Sequence, residues 1–245
     1  IGPALARLKG AAEGARSAAV IVPTSWLRSF LLDVDRPPRK EEELREVVRW
    51  RLKKLLPVAP TDLRLSIVRL PEVAGWRRLL VMAGIERAME AVESAFKAIG
   101  VEVGLITTRL FALVPRGAGV GRPSLVIQHE ESFLSLLLLT EGVPRLLRTK
   151  PLALSDQGAG TALREVGLTL GFIRENLELN TEIEVKLSSD NPGVDGELRG
   201  WLAKQDGLVP MVEAASPPCG PTTVVDRLGA TRLAPALAVV RGELR

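Results

Sequence analysis

The sequence is poor in the residues that build disulfides, metal clusters and aromatic binding platforms. Among its 245 residues there is one cysteine, Cys219, one histidine, His129, and no tyrosine. A lone cysteine excludes an internal disulfide and a cysteine-based metal cluster, and one histidine cannot form the usual two-histidine zinc site. We therefore predict no metal site. The low cysteine content also fits a reducing, cytoplasmic compartment.

Long hydrophobic runs and targeting signals are also missing. The longest apolar run, residues 134–139, is interrupted by a serine and is far shorter than the roughly 20 residues that cross a bilayer. Residues 2–8 have neither the apolar region nor the cleavage signature of a secretory signal. The chain begins with Ile1 rather than Met, so we expect an internal start, with a segment of the natural protein before it. The composition, 46% hydrophobic and 25% charged, is typical of a globular protein.

Positive charge is concentrated in one short segment, residues 45–54. Arg45, Arg49 and Lys53 follow one another at intervals of four and would line one face of a helix. This pattern indicates either the solvated face of an amphipathic helix or a patch that binds nucleic acid or a membrane surface. Trp50 is the only aromatic residue nearby, which disfavours stacking on single-stranded nucleic acid. We therefore regard a basic nucleic-acid-binding module as the less favoured interpretation of this segment.

Hydrophobic periodicity predicts an α/β fold. Residues 63–70 alternate with period two, as in a half-buried strand, and residues 78–83 form a plausible partner strand. The apolar spacing in residues 41–56 and 86–99 is that of one helical face. Strands and helices alternate along the chain, which is typical of α/β proteins.

A glycine-rich segment at residues 116–123 divides the chain near its middle. Its glycines precede a strand, whereas the dinucleotide-binding fingerprint follows a strand and opens a helix, so we interpret the segment as a connection. Asp190 and Asp195 flank a later turn and are expected to cap the helix after it. Three helices are predicted in the second half, at residues 161–179, 195–204 and 233–240.

Residues 124–151 are the most informative stretch of the sequence. They predict two apolar strands, a turn at Glu141 and Gly142, and a third strand. The connection between the first two strands, residues 128–133, has no glycine that would let the backbone approach a phosphate closely, and it carries two carboxylates that would repel an anion. We interpret His129 as a turn residue at the end of a strand.

The order of elements between residues 57 and 115, continued into the second half, carries a family resemblance. The segments that carry it are a helix end at residues 55–60, a strand at 79–84, a helix end at 98–103, and residues 107–113, 163–167 and 233–238. In this order the chain resembles the PilM family of actin-like proteins of type IV pilus assembly. It also resembles the related cytoplasmic domains of the GspL family of type II secretion.

This resemblance implies an actin-like, ribonuclease H-like fold of two subdomains, with mixed sheets flanked by helices. The first half, residues 1–116, would contain an inserted subdomain, and the second half would span residues 117–245. The implied function is that of a non-catalytic scaffold that binds the N-terminal cytoplasmic tail of a PilN-like bitopic membrane protein. The protein would then be cytoplasmic and peripheral at the inner membrane. Contact with a motor ATPase and formation of a homodimer are further expectations.

The nucleotide motifs of the family are degraded or absent in this sequence. The Asp-Ile-Gly-Ser-like phosphate hairpin does not occur before Ala18, and the adenosine-contacting turn keeps only Gly193. We therefore predict no catalytic residue and no cofactor. The alternative is a weak ATP-binding protein or ATPase of the same fold, which would use ATP and Mg²⁺ if a preceding segment supplied the missing hairpin. In that case four residues would contact the nucleotide: Gln128, Glu130, Asp190 and Gly193.

Overall fold

The chain forms two compact units, residues 1–108 and residues 109–245. The computed structural model describes residues 16–72, 77–115, 117–153 and 158–211. The helix predicted at residues 233–240 lies outside the described residues.

The first unit has five strands and two helices of three turns in its described part. The strands are β1 Ser17–Val22, β2 Leu27–Asp33, β3 Leu63–Arg69, β4 Arg78–Ile85 and β5 Glu102–Thr108. The helices are α1 Glu41–Leu52 and α2 Glu86–Lys97, and one turn of 3-10 helix spans Pro60–Asp62. Strands β2, β4 and β3 form an antiparallel sheet in that order, and β1 pairs in parallel with β5.

Helix α1 covers one face of the three-stranded sheet. Its buried residues Leu44, Val48 and Leu52 recur every four positions, and they pack against buried side chains of the sheet such as Leu65 and Val81. Three glutamates in its first turn suit the positive end of the helix dipole. The spacing of apolar residues in the sequence therefore correctly predicted this helix and its buried face.

In its described residues, the second unit has a five-stranded mixed sheet and two long helices. Its strands are β6 Ser124–Glu130, β7 Phe133–Thr140, β8 Val143–Pro151, β9 Ile183–Ser189 and β10 Leu208–Pro210. Its helices are the short α3 Arg109–Ala112, then α4 Ala159–Asn176 and α5 Pro192–Leu202. The strand order is β10-β9-β6-β7-β8, with β6, β7 and β8 antiparallel and β9 parallel to β6 and β10. Helices α4 and α5 pack on one core with these strands.

The β6–β7–β8 meander confirms the predicted three-strand stretch, but its first turn is shorter than expected. Glu141 and Gly142 have φ values of 52° and 71°, and they close a two-residue hairpin of the kind that requires a left-handed backbone. The first turn consists of residues 131–132 alone, because β6 continues through Glu130. The interpretation of His129 as a turn residue was therefore wrong, since it pairs within the strand.

Candidate functional site

The four residues predicted to contact a nucleotide lie at one end of the second unit's sheet. Gln128 and Glu130 are at the carboxyl end of β6, and Asp190 directly follows the neighbouring parallel strand β9. The backbone N–H of Asp190 donates to the carbonyl of His129 at 3.1 Å, which joins the two strand ends. Gly193 lies in the first turn of α5. Their contact with a nucleotide stays a prediction.

Gln128 belongs to a row of polar residues that crosses four adjacent strands. It pairs in register with Ser135 on β7 and Ser188 on β9, and Ser135 pairs with Thr149 on β8. Gln128 is 0% exposed, and its Oε1 atom has no hydrogen-bond partner within the described segments. This side chain is therefore enclosed in the sheet.

His129 is also buried, and its burial favours the uncharged imidazole. Its Nδ1 lies 2.9 Å from the hydroxyl of Ser189, while its Nε2 has no hydrogen-bond partner among the described residues. Burial lowers the pKa of His129 below its ordinary value, and the nearby charge of Asp190 opposes that shift. A neutral, enclosed imidazole adds no positive charge for a phosphate.

The positive charge at this end of the sheet comes from a residue that the sequence analysis missed. Arg109, in α3, donates through Nη1 to the carboxylate of Asp190 and forms an ion pair with it. The two residues are 81 positions apart in the sequence, so no local pattern could have connected them. Because Arg109 is engaged with Asp190, its charge is partly compensated within the protein.

The N-terminus of α5 is closed by its own capping residue, and the predicted caps Asp190 and Asp195 were wrong. The side chain of Asn191 accepts from the backbone N–H groups of Gly193 at 3.0 Å and Val194 at 3.3 Å. Free N–H groups at a helix start are a common phosphate site, and here the cap occupies two of them. Asp195 lies inside the first turn and pairs with an arginine one turn later.

A groove in the first unit differs from the polar end of the second unit's sheet, because the groove is open and mostly apolar. It lies among β3, β4, α2 and β5, and encloses about 280 Å³. Four consecutive residues of β5, 103–106, form one wall. Within the described part of the chain β5 pairs with β1 alone, so the backbone on its other edge has no strand partner. A register shift in this pairing leaves Gly104 as an extra, bulged residue in that wall.

The floor of the groove is built from adaptable apolar side chains. Met82 and the buried Leu27 and Met89 line it. A Cβ atom at Gly84 would lie 3.2 Å from Leu27 Cδ1 and from Met89 Sδ, so the glycine makes room for both side chains. Methionine side chains adjust to differently shaped partners more easily than branched residues. The groove can therefore accept apolar side chains of a ligand.

Arg64 and Glu93 line one rim of the groove, and with Glu86 they form a cluster of three charged residues. Arg64 on β3 donates through Nε to Glu86 at 2.9 Å and through Nη1 to Glu93, both on α2. These hydrogen bonds raise the pKa of Arg64, and the bond from Arg64 lowers the pKa of Glu86. The glutamates are seven residues apart and so share one face of the helix. Arg64 is 22 and 29 positions away from them, which is why the sequence analysis missed the cluster.

The basic face predicted on α1 is partly engaged within the protein. Arg45 donates to the carbonyl oxygen of Leu65 at 3.2 Å, and Arg49 pairs with Glu46 at 2.8 Å. Two of its three basic side chains thus have intramolecular partners. Binding of nucleic acid by this face stays a prediction.

No group of three or more His, Cys, Asp or Glu residues in the described segments of the chain could hold a metal ion. None of the helices in those segments is both long enough and apolar enough to span a bilayer.

Comparison with known proteins gives matches among solved structures. No protein-family model and no curated protein sequence matches the chain. The chain is similar to PilM in the structure of the PilM–PilN type IV pilus biogenesis complex, with a TM-score of 0.62 and 20% identity over 94% of this chain and 80% of that one. It is also similar to the cytoplasmic domain of EpsL, an inner-membrane component of the type II secretion system of Vibrio cholerae. There the TM-score is 0.53 and the identity 12%, over 98% of this chain and 80% of that one.

These two structures share their fold with this chain over nearly its whole length. At identities of 20% and 12% the likeness concerns the fold, and residue roles do not follow from it. The mixed α/β architecture of both units agrees with the fold class expected from the sequence. The chain has the PilM-like fold, and the predicted α/β fold class with mixed sheets is confirmed.

Proposed function

We propose that this protein is a non-catalytic scaffold of a type IV pilus or type II secretion machine, and that it binds the cytoplasmic tail of a PilN-like membrane protein. The tail would lie in the groove of the first unit as an extended peptide. The observation that carries this proposal is the pairing of an apolar groove with an open strand edge, residues 103–106 of β5.

An extended peptide fits this groove better than a compact cofactor. Pockets for small molecules usually enclose about 300–1,000 Å³, and 280 Å³ lies just below that range. A peptide needs less enclosed space, because its backbone pairs with a strand edge and only alternate side chains enter the pocket. Strand β3 is a less accessible edge than β5, because the carbonyl oxygen of its Leu65 already accepts a hydrogen bond from Arg45 of α1.

The structural relatives support the same partner class and location. One is PilM in a complex with PilN, and the other is the cytoplasmic domain of an inner-membrane secretion component. A protein bound to the tail of a membrane-embedded partner would be peripheral at the cytoplasmic face of the inner membrane. Contact with a motor ATPase and homodimer formation stay predictions of the family resemblance.

Calorimetric titration tests the proposal. A synthetic peptide that copies the cytoplasmic tail of a PilN-like protein from the same source is titrated into the full-length protein. We expect saturable binding that weakens at least about tenfold in Leu105→Asp, which places a charge on the exposed leucine of the groove wall. Gly84→Ala should also weaken binding, because its methyl group displaces Met89.

Leu168→Asp is the matched control, since Leu168 is an exposed leucine on α4 in the other unit. It should bind the peptide as the unmodified protein does. Equal binding by all variants would place the peptide elsewhere, and no binding by the unmodified protein would refute the proposed function.

Weak ATP binding is the second candidate function. The observation in its favour is that Gln128, Glu130 and Asp190 meet at one end of a sheet, with Gly193 in the helix turn that follows. Titration of ATP with Mg²⁺ into full-length protein tests it. Binding or hydrolysis that is lost in Glu130→Gln or Asp190→Asn would favour this alternative over the non-catalytic scaffold.

A further inference from the structure

The groove of the first unit has an excess of negative charge along its rim. Glu86 and Glu93 bring two carboxylates to the single guanidinium of Arg64, which leaves one negative charge uncompensated within this cluster. Glu90 is exposed and lies between them, one turn after Glu86, so it extends the acidic stripe along α2. The rim thus attracts cations while the floor accepts apolar groups.

The cluster also keeps hydrogen-bond acceptors available. Arg64 reaches only the Oε1 atoms of Glu86 and Glu93, and no described residue donates to either Oε2 atom. The glutamate side chains are 37% and 41% exposed, so a ligand can approach them from solvent. Arg64 meanwhile holds both carboxylates in place, which reduces the entropy lost when a ligand binds them.

We infer that the groove selects a peptide in which a lysine or arginine adjoins the apolar residues that enter the pocket, with Glu93 and Glu86 receiving the cation. This inference rests on the proposed peptide-binding function. It fits a membrane partner, because the cytoplasmic segments beside membrane spans carry an excess of Lys and Arg. The acidic rim and such a tail are complementary in charge, which favours both the encounter and the register of binding.

The test is a double-mutant cycle between peptide and protein. Each arginine of the tail peptide is replaced in turn by citrulline, a neutral group of nearly the same shape, and each lysine by acetyl-lysine. The peptides are titrated into unmodified protein and Glu93→Gln at low ionic strength. We expect one substitution to weaken binding to unmodified protein about threefold to fivefold, and to have little further effect on Glu93→Gln.

Glu175→Gln is the control for net charge, because Glu175 is an exposed glutamate on α4 in the second unit. It should retain the full sensitivity to the neutral peptides. The charge selection is wrong if every neutral peptide binds unmodified protein as tightly as the original peptide does. It is also wrong if a neutral peptide loses as much affinity for Glu93→Gln as for unmodified protein. In both cases the groove still binds peptide. If the original tail does not bind unmodified protein, the charge selection and the proposed function both fail.

Discussion

At the residue scale, the second unit encloses polar side chains that contribute little to apolar packing. Gln128 and His129 are 0% and 3% exposed, and each has one buried polar atom without a hydrogen-bond partner among the described residues. A buried polar atom left without a partner costs about 1–3 kcal/mol. The prediction from sequence included both residues but assigned them to a turn, because a polar run between apolar strands is typical of turns.

The pH dependence of stability should report the buried His129. Because burial lowers its pKa below the ordinary 6.5, the unfolded chain binds the proton more readily than the folded chain does. Its contribution to stability is therefore complete above pH 6.5 and is lost as the pH falls from there through the folded-state pKa. Urea unfolding at pH 7.5 and pH 5.0 should show a larger loss for unmodified protein than for His129→Gln. Equal losses in the two proteins would contradict this account.

Two glycines with the same backbone conformation should differ in their tolerance of a side chain. Gly119 and Gly121 have φ values of 80° and 79°, so a left-handed alanine costs about 1 kcal/mol at either position. At Gly119 the added Cβ would lie 2.8–2.9 Å from atoms of Leu139, two of them in its backbone, whereas nothing lies within 4 Å at Gly121. Chemical denaturation should show that Gly119→Ala loses about 2 kcal/mol more than Gly121→Ala. Equal losses would mean that the close approach to β7 does not matter.

At the element scale, helix α5 shows how a capping residue can be misassigned from sequence. Asp190, Asn191 and Asp195 are all residue types that cap helices, and the sequence alone does not distinguish them. In the structure Pro192 occupies the first helical position, which leaves Asn191 as the cap. The helix therefore begins at Pro192, three residues earlier than predicted.

Removal of this cap should destabilise the second unit measurably. Asn191→Ala loses the two backbone hydrogen bonds to its side chain and should cost about 1 kcal/mol, while Asn191→Asp should retain most of the stability. Asp195→Ala removes an ion pair within the helix with the half-exposed Arg199 and should cost about 0.5 kcal/mol. Guanidinium unfolding of the three variants tests the order. A larger loss in Asp195→Ala than in Asn191→Ala would contradict it.

The regular elements themselves could be predicted because their patterns are local. Alternation with period two gave β3, the four-residue spacing of apolar side chains gave α1, and the Glu141–Gly142 pair gave the β7–β8 turn. The groove could not be predicted, because its walls combine β3, β4, α2 and β5. Pairings such as Arg64 with Glu93 depend on sheet order, which no local pattern contains.

At the scale of the whole molecule, the two units carry sites of different chemical character. The chain has the fold of PilM and of the EpsL cytoplasmic domain. In its second unit the end of the sheet is occupied by the protein's own Asn191 cap, Arg109–Asp190 pair and enclosed Gln128. In its first unit an open strand edge borders an apolar groove. This distribution supports the proposed binding of a protein segment.

Amide hydrogen exchange, measured with and without the PilN-like tail peptide, tests peptide binding at the groove most directly. A peptide that pairs with the open edge of β5 should slow exchange at residues 103–106. Strand β8, Val143–Pro151, is a long edge strand of the second unit's sheet and should exchange unchanged. Protection of residues 103–106 alone is the predicted result. Protection of β8 instead, or no protection of β5 at saturating peptide, would contradict the proposed mode of binding.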